Sequence, residues 1–134
     1  MEVLDIFVDG GFKNEKATWA FIVVDEHGNI IHQQKGSLEG KINSMRQIGG
    51  ELKAAAEAVK YCRSIKKTAR IFYDYYGIYK WIADIFNEKP WGAKNEFTQN
   101  YRQFMVSNRR WIHEMVKVKS HSGNKFNDLV DTLV

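Results

Sequence analysis

The chain has 134 residues, of which 44% are hydrophobic and 13% aromatic, with a formal net charge of +4 and a pI of about 9.1. That apolar content suits one domain around one core and excludes a disordered chain. No apolar run approaches the ~20 residues of a membrane span, no basic-then-apolar leader opens the chain, and the lone Cys62 excludes an internal disulfide. A cytoplasmic protein is expected. Its positive bias suits an anionic partner, although solvated lysines alone give the same net charge.

In chain order, residues 3–9 predict a strand from their apolar and β-branched content, with Asp9 at its end and Gly10-Gly11 after it. Thr18–Val24 predicts a second strand and Ile30 to Lys35 a third, joined by the turn cluster Asp25–Asn29. The first three strands are therefore expected to be antiparallel. From Ser44 the period becomes helical, with Ser44 and Gln47 matching a capping box. Met45, Ile48, Leu52, Ala55, Ala56, Val59 and Cys62 form its apolar stripe, which makes Cys62 a buried thiol. Ala69–Tyr73 predicts a fourth strand. Ile78, Trp81, Ile82, Ile85 and Phe86 predict a second helix, and Phe97, Tyr101, Phe104, Met105 and Asn108 a third. Residues 114–119 predict a fifth strand, and Phe126, Leu129, Val130 and Leu133 a closing helix. The order β-β-β-α-β-α-α-β-α gives an α/β fold, a five-stranded mixed sheet covered by helices, because the later strands need helical crossovers.

Four carboxylates occupy junctions of this pattern. Asp9 and Asp74 each close a strand, where ligands of α/β sheets gather; adjacent strands would place both at one sheet edge. Glu51 points along an apolar helical stripe, where an unpaired charge would cost several kcal/mol. Gly49 and Gly50 precede it, each weakening the helix by about 1 kcal/mol, as glycines do where a backbone or ligand approaches closely. Asn127, Asp128 and Asp131 share one side of the last helix. Taken singly, these acids have plainer readings as caps, turn formers, helix-edge charges or a solvated face. Taken together they would repel one another without cations, and oxygen donors with no histidine or cysteine cluster select Mg²⁺ or Mn²⁺ over zinc. Two such ions can clamp the oxygens of a phosphodiester, the chemistry of a metal-dependent nuclease. His121, in the flexible segment Lys119–Gly123, could shuttle a proton or could be an ordinary surface residue, as His27, His32 and His113 are read.

Four segments, in order, resemble type I ribonuclease H of the bacterial branch over nearly the whole chain: Ile6–Gly11, Gly49–Ala55, Phe72–Ile78, and Val116–Gly123 continuing through Asn127 to Asp131. The resemblance implies a single ribonuclease H domain over residues 1–134 that acts as an endonuclease on the RNA strand of an RNA/DNA hybrid. It further implies two Mg²⁺ ions, replaceable by Mn²⁺, and a monomer. By motif, Asp9, Glu51, Asp74 and Asp131 become the metal-binding carboxylates and His121 the mobile histidine. Asp131 is preferred to Asp128 because it follows the motif asparagine, Asn127, by four residues. Gly11, Asn14 and Gln47 resemble minor-groove contacts, Arg46 a DNA-phosphate contact, and Asn127 joins the substrate-binding set. Gly11 stands where many members have serine, and the family's basic protrusion is reduced to residues 87–94, where Trp91 could stack on substrate or pack internally. The alternative is a nucleic-acid-binding module of the same fold with weak or no catalysis.

Overall fold

A computed structural model describes residues 1–134. One five-stranded sheet, in the order β3-β2-β1-β4-β5, runs through the molecule. β1 (Val3–Lys13), β2 (Lys16–Val24) and β3 (Ile30–Ser37) pair antiparallel, whereas β4 (Thr68–Tyr73) and β5 (Ile112–Lys117) join β1 in parallel. The helices are α1 (Gln47–Ser64), α2 (Gly77–Lys80), α3 (Glu96–Ser107) and α4 (Lys125–Asp131). The element order and the antiparallel first three strands agree with the sequence pattern.

Alternation along β1 divides the core. Leu4, Ile6 and Val8 face α1 with Trp19, Phe21 and Val23 of β2, and there they meet Leu52, Ala55, Val59 and Cys62. Phe7 points the other way, into a smaller cluster with Ala20, Ile22, Val24 and Val130 of α4. β2 is thus apolar on both sides, as a central strand covered on both faces must be. Cys62 is fully buried, and burial pushes its thiol up to about 12.

Four boundaries differ from the sequence expectation. β1 does not stop at Asp9 but continues to Lys13 and turns back through Asn14 and Glu15, whose φ values of 52° and 62° form a two-residue hairpin turn. The glycines that suggest a strand end lie within the strand instead, Gly10 because the α1 backbone lies against it and Gly11 because Thr18 and Val134 crowd it. Ser44 is not a helix cap: it lies in a 3-10 turn, Lys41–Met45, and donates to the Lys41 carbonyl, while α1 begins at Gln47 after Arg46. The second helix breaks after Lys80 into a separate 3-10 turn, Ala83–Phe86. β5 spans Ile112–Lys117, two residues earlier at each end than predicted. A capping box absent from the sequence reading starts α3, where Asn95 accepts from the Thr98 amide and the Thr98 hydroxyl accepts from the Asn95 amide. Tyr101 of α3 donates to the Ile78 carbonyl at 2.6 Å and anchors α2 behind the end of β4.

Candidate metal centre

Strand register creates the site. β1 pairs with β4 only as far as Phe7 opposite Phe72, although β1 continues beside β2 for six more residues. Asp9 and Asp74 each stand two residues beyond that last pair, at the mouth of the cleft where the two strands part. Glu51 enters from α1, whose backbone at Gly50 lies directly against Gly10 and Thr18. One carboxylate oxygen from each of Asp9, Glu51 and Asp74 lies within 4.8 Å of the other two.

The electrostatics of this trio are unfavourable without a cation. Glu51 is only 4% exposed, and its Oε2 has no hydrogen-bond partner. Burial, followed by the charges of Asp9 and Asp74, pushes its carboxyl well above the ordinary range. Asp9 is pushed up to about 7, first by burial, then by the Asp74 charge, then by the adjacent Asp131 carboxyl; Glu51 and the Gly10 amide oppose the shift. Acids crowded in this way hold protons until a positive charge replaces them. An orphaned buried oxygen among all-oxygen donors fits a hard divalent cation, with Asp9, Glu51 and Asp74 as its holders.

A family model for RNase H matches residues 1–134. The chain belongs to the RNase H family. No curated protein matches its sequence. Among solved structures, RNase H1 from Halobacterium salinarum is 12% identical with a TM-score of 0.74, covering 98% of this chain and 93% of that one. The N-terminal RNase H domain of rv2228c from Mycobacterium tuberculosis, solved as a fusion with maltose-binding protein, is also 12% identical, with a TM-score of 0.75 and coverage of 100% and 91%. LC11-RNase H1, solved in complex with an RNA/DNA hybrid, is 14% identical with a TM-score of 0.68 and coverage of 98% and 96%. At these identities the likeness is one of fold, and it gives this chain the RNase H fold from end to end.

The other sequence-predicted residues lie on several elements of this RNase H fold. Asp131 lies outside the mutual cluster; it is exposed at the end of α4 and is one of the groups that push the Asp9 carboxyl up. Asp128 is also exposed but is not among those groups. His121 sits on the exposed loop before α4 with φ 56°. Asn14, Arg46 and Gln47 are exposed, and the Arg46 guanidinium lies 4.9 Å from the Phe12 ring centroid, joining the β1–β2 hairpin to the start of α1. Asn127 is buried, and its Oδ1 has no partner. Gly11 is half-buried, and a Cβ there would lie 2.8 Å from the Thr18 hydroxyl and 3.1 Å from Val134 Cβ. Val134 therefore fills the space a serine side chain would need. Trp91 is 40% exposed and packs edge-on against Tyr76 and Trp81, and its amide donates to the Lys80 carbonyl.

Two positioning side chains were missed in the sequence. Asn43 accepts from the Ala17 amide at 2.7 Å and donates to the Leu38 carbonyl at 3.0 Å, pinning the approach to α1 onto the start of β2. Ser120 donates to Asp74 Oδ2 at 2.8 Å. None of the three bonds follows a periodic pattern; the Asn43–Ala17 and Ser120–Asp74 bonds join residues 26 and 46 apart.

Proposed function

We propose that this chain is a divalent-cation-dependent endoribonuclease that hydrolyses the RNA strand of RNA/DNA hybrids, leaving 5′-phosphate and 3′-hydroxyl ends. The reading rests above all on the acidic trio: the buried Asp9 and Glu51 and the half-buried Asp74, each with an oxygen within 4.8 Å of the others, and one Glu51 oxygen without a partner. Asp9, Glu51, Asp74 and Asp131 would hold two Mg²⁺ ions, or Mn²⁺ in their place, and when bound these supply Lewis-acid charge at the phosphoryl group and acidify a water.

The protein's own groups supply position and proton transfer. Three of the acids converge from β1, α1 and the end of β4, so the fold fixes their separation before substrate arrives. His121, exposed on the loop between β5 and α4, would move a proton at the leaving 3′ oxygen. Gly11, Asn14 and Gln47 would meet the hybrid's minor groove, where the 2′-hydroxyl distinguishes RNA from DNA, and Asn127 would complete the substrate-binding set. Arg46 would neutralise a phosphate of the DNA strand. LC11-RNase H1, which shares this fold, has been solved with such a hybrid, and this supports the choice of ligand.

The test uses purified protein with labelled hybrid, single-stranded RNA and duplex DNA in Mg²⁺. Cleavage of the hybrid RNA alone is expected, and Asp9→Asn or Asp74→Asn should abolish it in a folded protein. Hybrid bound but left intact in both Mg²⁺ and Mn²⁺ would establish the non-catalytic module instead.

A further inference from the structure

β4 and β5 stay paired to their ends: Lys117 lies opposite Tyr73, and the Val118 amide donates to the Tyr73 carbonyl at 2.8 Å. The chain then passes through residues 119–123 before Asn124 caps α4 by accepting from the amides of Phe126 and Asn127. Two serines shape the intervening loop. Ser122 donates to the Lys119 carbonyl at 2.6 Å, a bond internal to the loop. Ser120 donates to Asp74 Oδ2 at 2.8 Å, which ties the loop to the sheet. His121 lies between the two serines, exposed, at φ 56°.

We propose that Ser120 is a positioning residue whose hydroxyl sets the Asp74 carboxylate for cation binding and tethers the His121 loop to that same carboxylate. The proposal rests on the reading of Asp74 as a cation ligand. Asp74 is half-buried at a strand end, and Ser120 is its one side-chain hydrogen-bond donor. The terminal torsion of an aspartate is broad, so a carboxylate with no donor samples many settings. A hydroxyl on Oδ2 selects one setting, in a carboxylate that offers an oxygen within 4.8 Å of those of Asp9 and Glu51. A hydrogen bond to an ionised acceptor is roughly twice as strong as a neutral one. Loss of such an outer partner typically costs about 10–100-fold in metal affinity or activity. The same bond holds the loop one residue before His121, so the histidine and the carboxylate would move as a unit. A loop serine that only satisfied its own hydroxyl would affect local order and nothing at the cation.

Mn²⁺ binding to the full chain, measured by calorimetry at fixed pH, separates these possibilities. Ser120→Ala should weaken Mn²⁺ roughly 10-fold, and Ser120→Thr, which keeps the hydroxyl, should restore most of the affinity. In the hybrid assay Ser120→Ala should lower kcat and leave KM unchanged, and amide exchange across residues 119–123 should rise. Wild-type Mn²⁺ affinity in Ser120→Ala overturns the proposal while leaving Asp74 a ligand, and so does failure of threonine to rescue. A wild-type chain that binds no Mn²⁺ overturns the Asp74 reading and this proposal together.

Discussion

Gly10 and Gly50 meet backbone to backbone: a Cβ on Gly50 would lie 3.1 Å from the Gly10 Cα and would overlap the Thr18 carbonyl oxygen. A Cβ on Gly10 would lie 2.6 Å from the Gln47 carbonyl oxygen and would overlap the Glu51 amide. This contact sets how deeply α1 sinks toward β1, and hence how far Glu51 reaches. Gly50→Ala gains about 1 kcal/mol of helix propensity, but the overlap is with backbone that cannot swing aside. Overpacking of that kind costs about 1–3 kcal/mol or more. Net destabilisation in urea is expected, together with weaker Mn²⁺ binding as Glu51 is lifted away. A stabilised Gly50→Ala with unchanged Mn²⁺ affinity would show that the close contact does not position Glu51.

Glu51 was legible in the sequence for a physical reason: a charge on an apolar stripe behind two helix-weakening glycines is costly unless something uses it. Asp9 was suspected for a partly wrong reason. The sequence marks it as a strand terminus, but β1 continues to Lys13, and what ends just before it is the pairing with β4. Local patterns report strand content; they do not report which neighbour a strand loses, and in what register. The same limit explains Ser44, whose capping pattern was overridden once Asn43 fastened the preceding turn to β2. The Ser120–Asp74 bond joins residues 46 apart and has no local signal at all. Asp131 follows from the asparagine-to-aspartate spacing of the resemblance, and it, unlike Asp128, is among the groups that raise the Asp9 carboxyl.

Asp9 makes the cation-free protein sensitive to pH in a definite direction. Its carboxyl rises from an ordinary 3.8 to about 7 on folding, driven first by burial. Between those values the folded chain keeps a proton that the unfolded chain releases, so stability falls as pH rises through about 4 to 7 and then levels. Glu51 is shifted in the same direction. Asp25 and Asp84 are held low, by the Asn29 amide and by Arg102 respectively, and their contributions are lost only at more acid pH. Without cations the melting temperature should therefore be higher at pH 5.5 than at pH 8. Asp9→Asn should reduce that slope and raise stability at pH 8 by of order 1 kcal/mol, about 4 °C in Tm. A variant less stable than wild type at pH 8 would contradict the assigned shift.

Cation binding should oppose the same protons. Ligands must be deprotonated to bind, so Mg²⁺ or Mn²⁺ should displace protons from Asp9 and Glu51, and apparent affinity should climb as pH rises through the Asp9 value of about 7. Calorimetric titrations in buffers of different ionisation enthalpy would count the protons released. Glu51→Gln keeps the size of the side chain but removes one charge from the cluster, so it should lower affinity by at least 10-fold and release fewer protons. Equal proton release from wild type and Glu51→Gln would place the coupled protons elsewhere.

Arg46 offers a test of the nucleic-acid face that is independent of catalysis. It occupies a strained backbone setting, φ 55° and ψ −136°, immediately before α1, and its guanidinium is held over Phe12. A non-glycine residue held in that setting, with its cation already ordered on an aromatic face, loses less side-chain freedom on meeting a phosphate. Hybrid binding by the Asp9→Asn chain, measured across a salt series, isolates this contribution from cleavage. If Arg46 neutralises one phosphate, Arg46→Ala should reduce the slope of log affinity against log salt by about 0.7–0.9. The loss should be uniform across hybrid sequences, because a phosphate contact reads no base. Arg46→Lys keeps the charge without the planar fork and should preserve the slope while losing part of the affinity. An unchanged slope in Arg46→Ala would remove Arg46 from the phosphate contacts and leave its guanidinium with the structural task of joining the hairpin to α1.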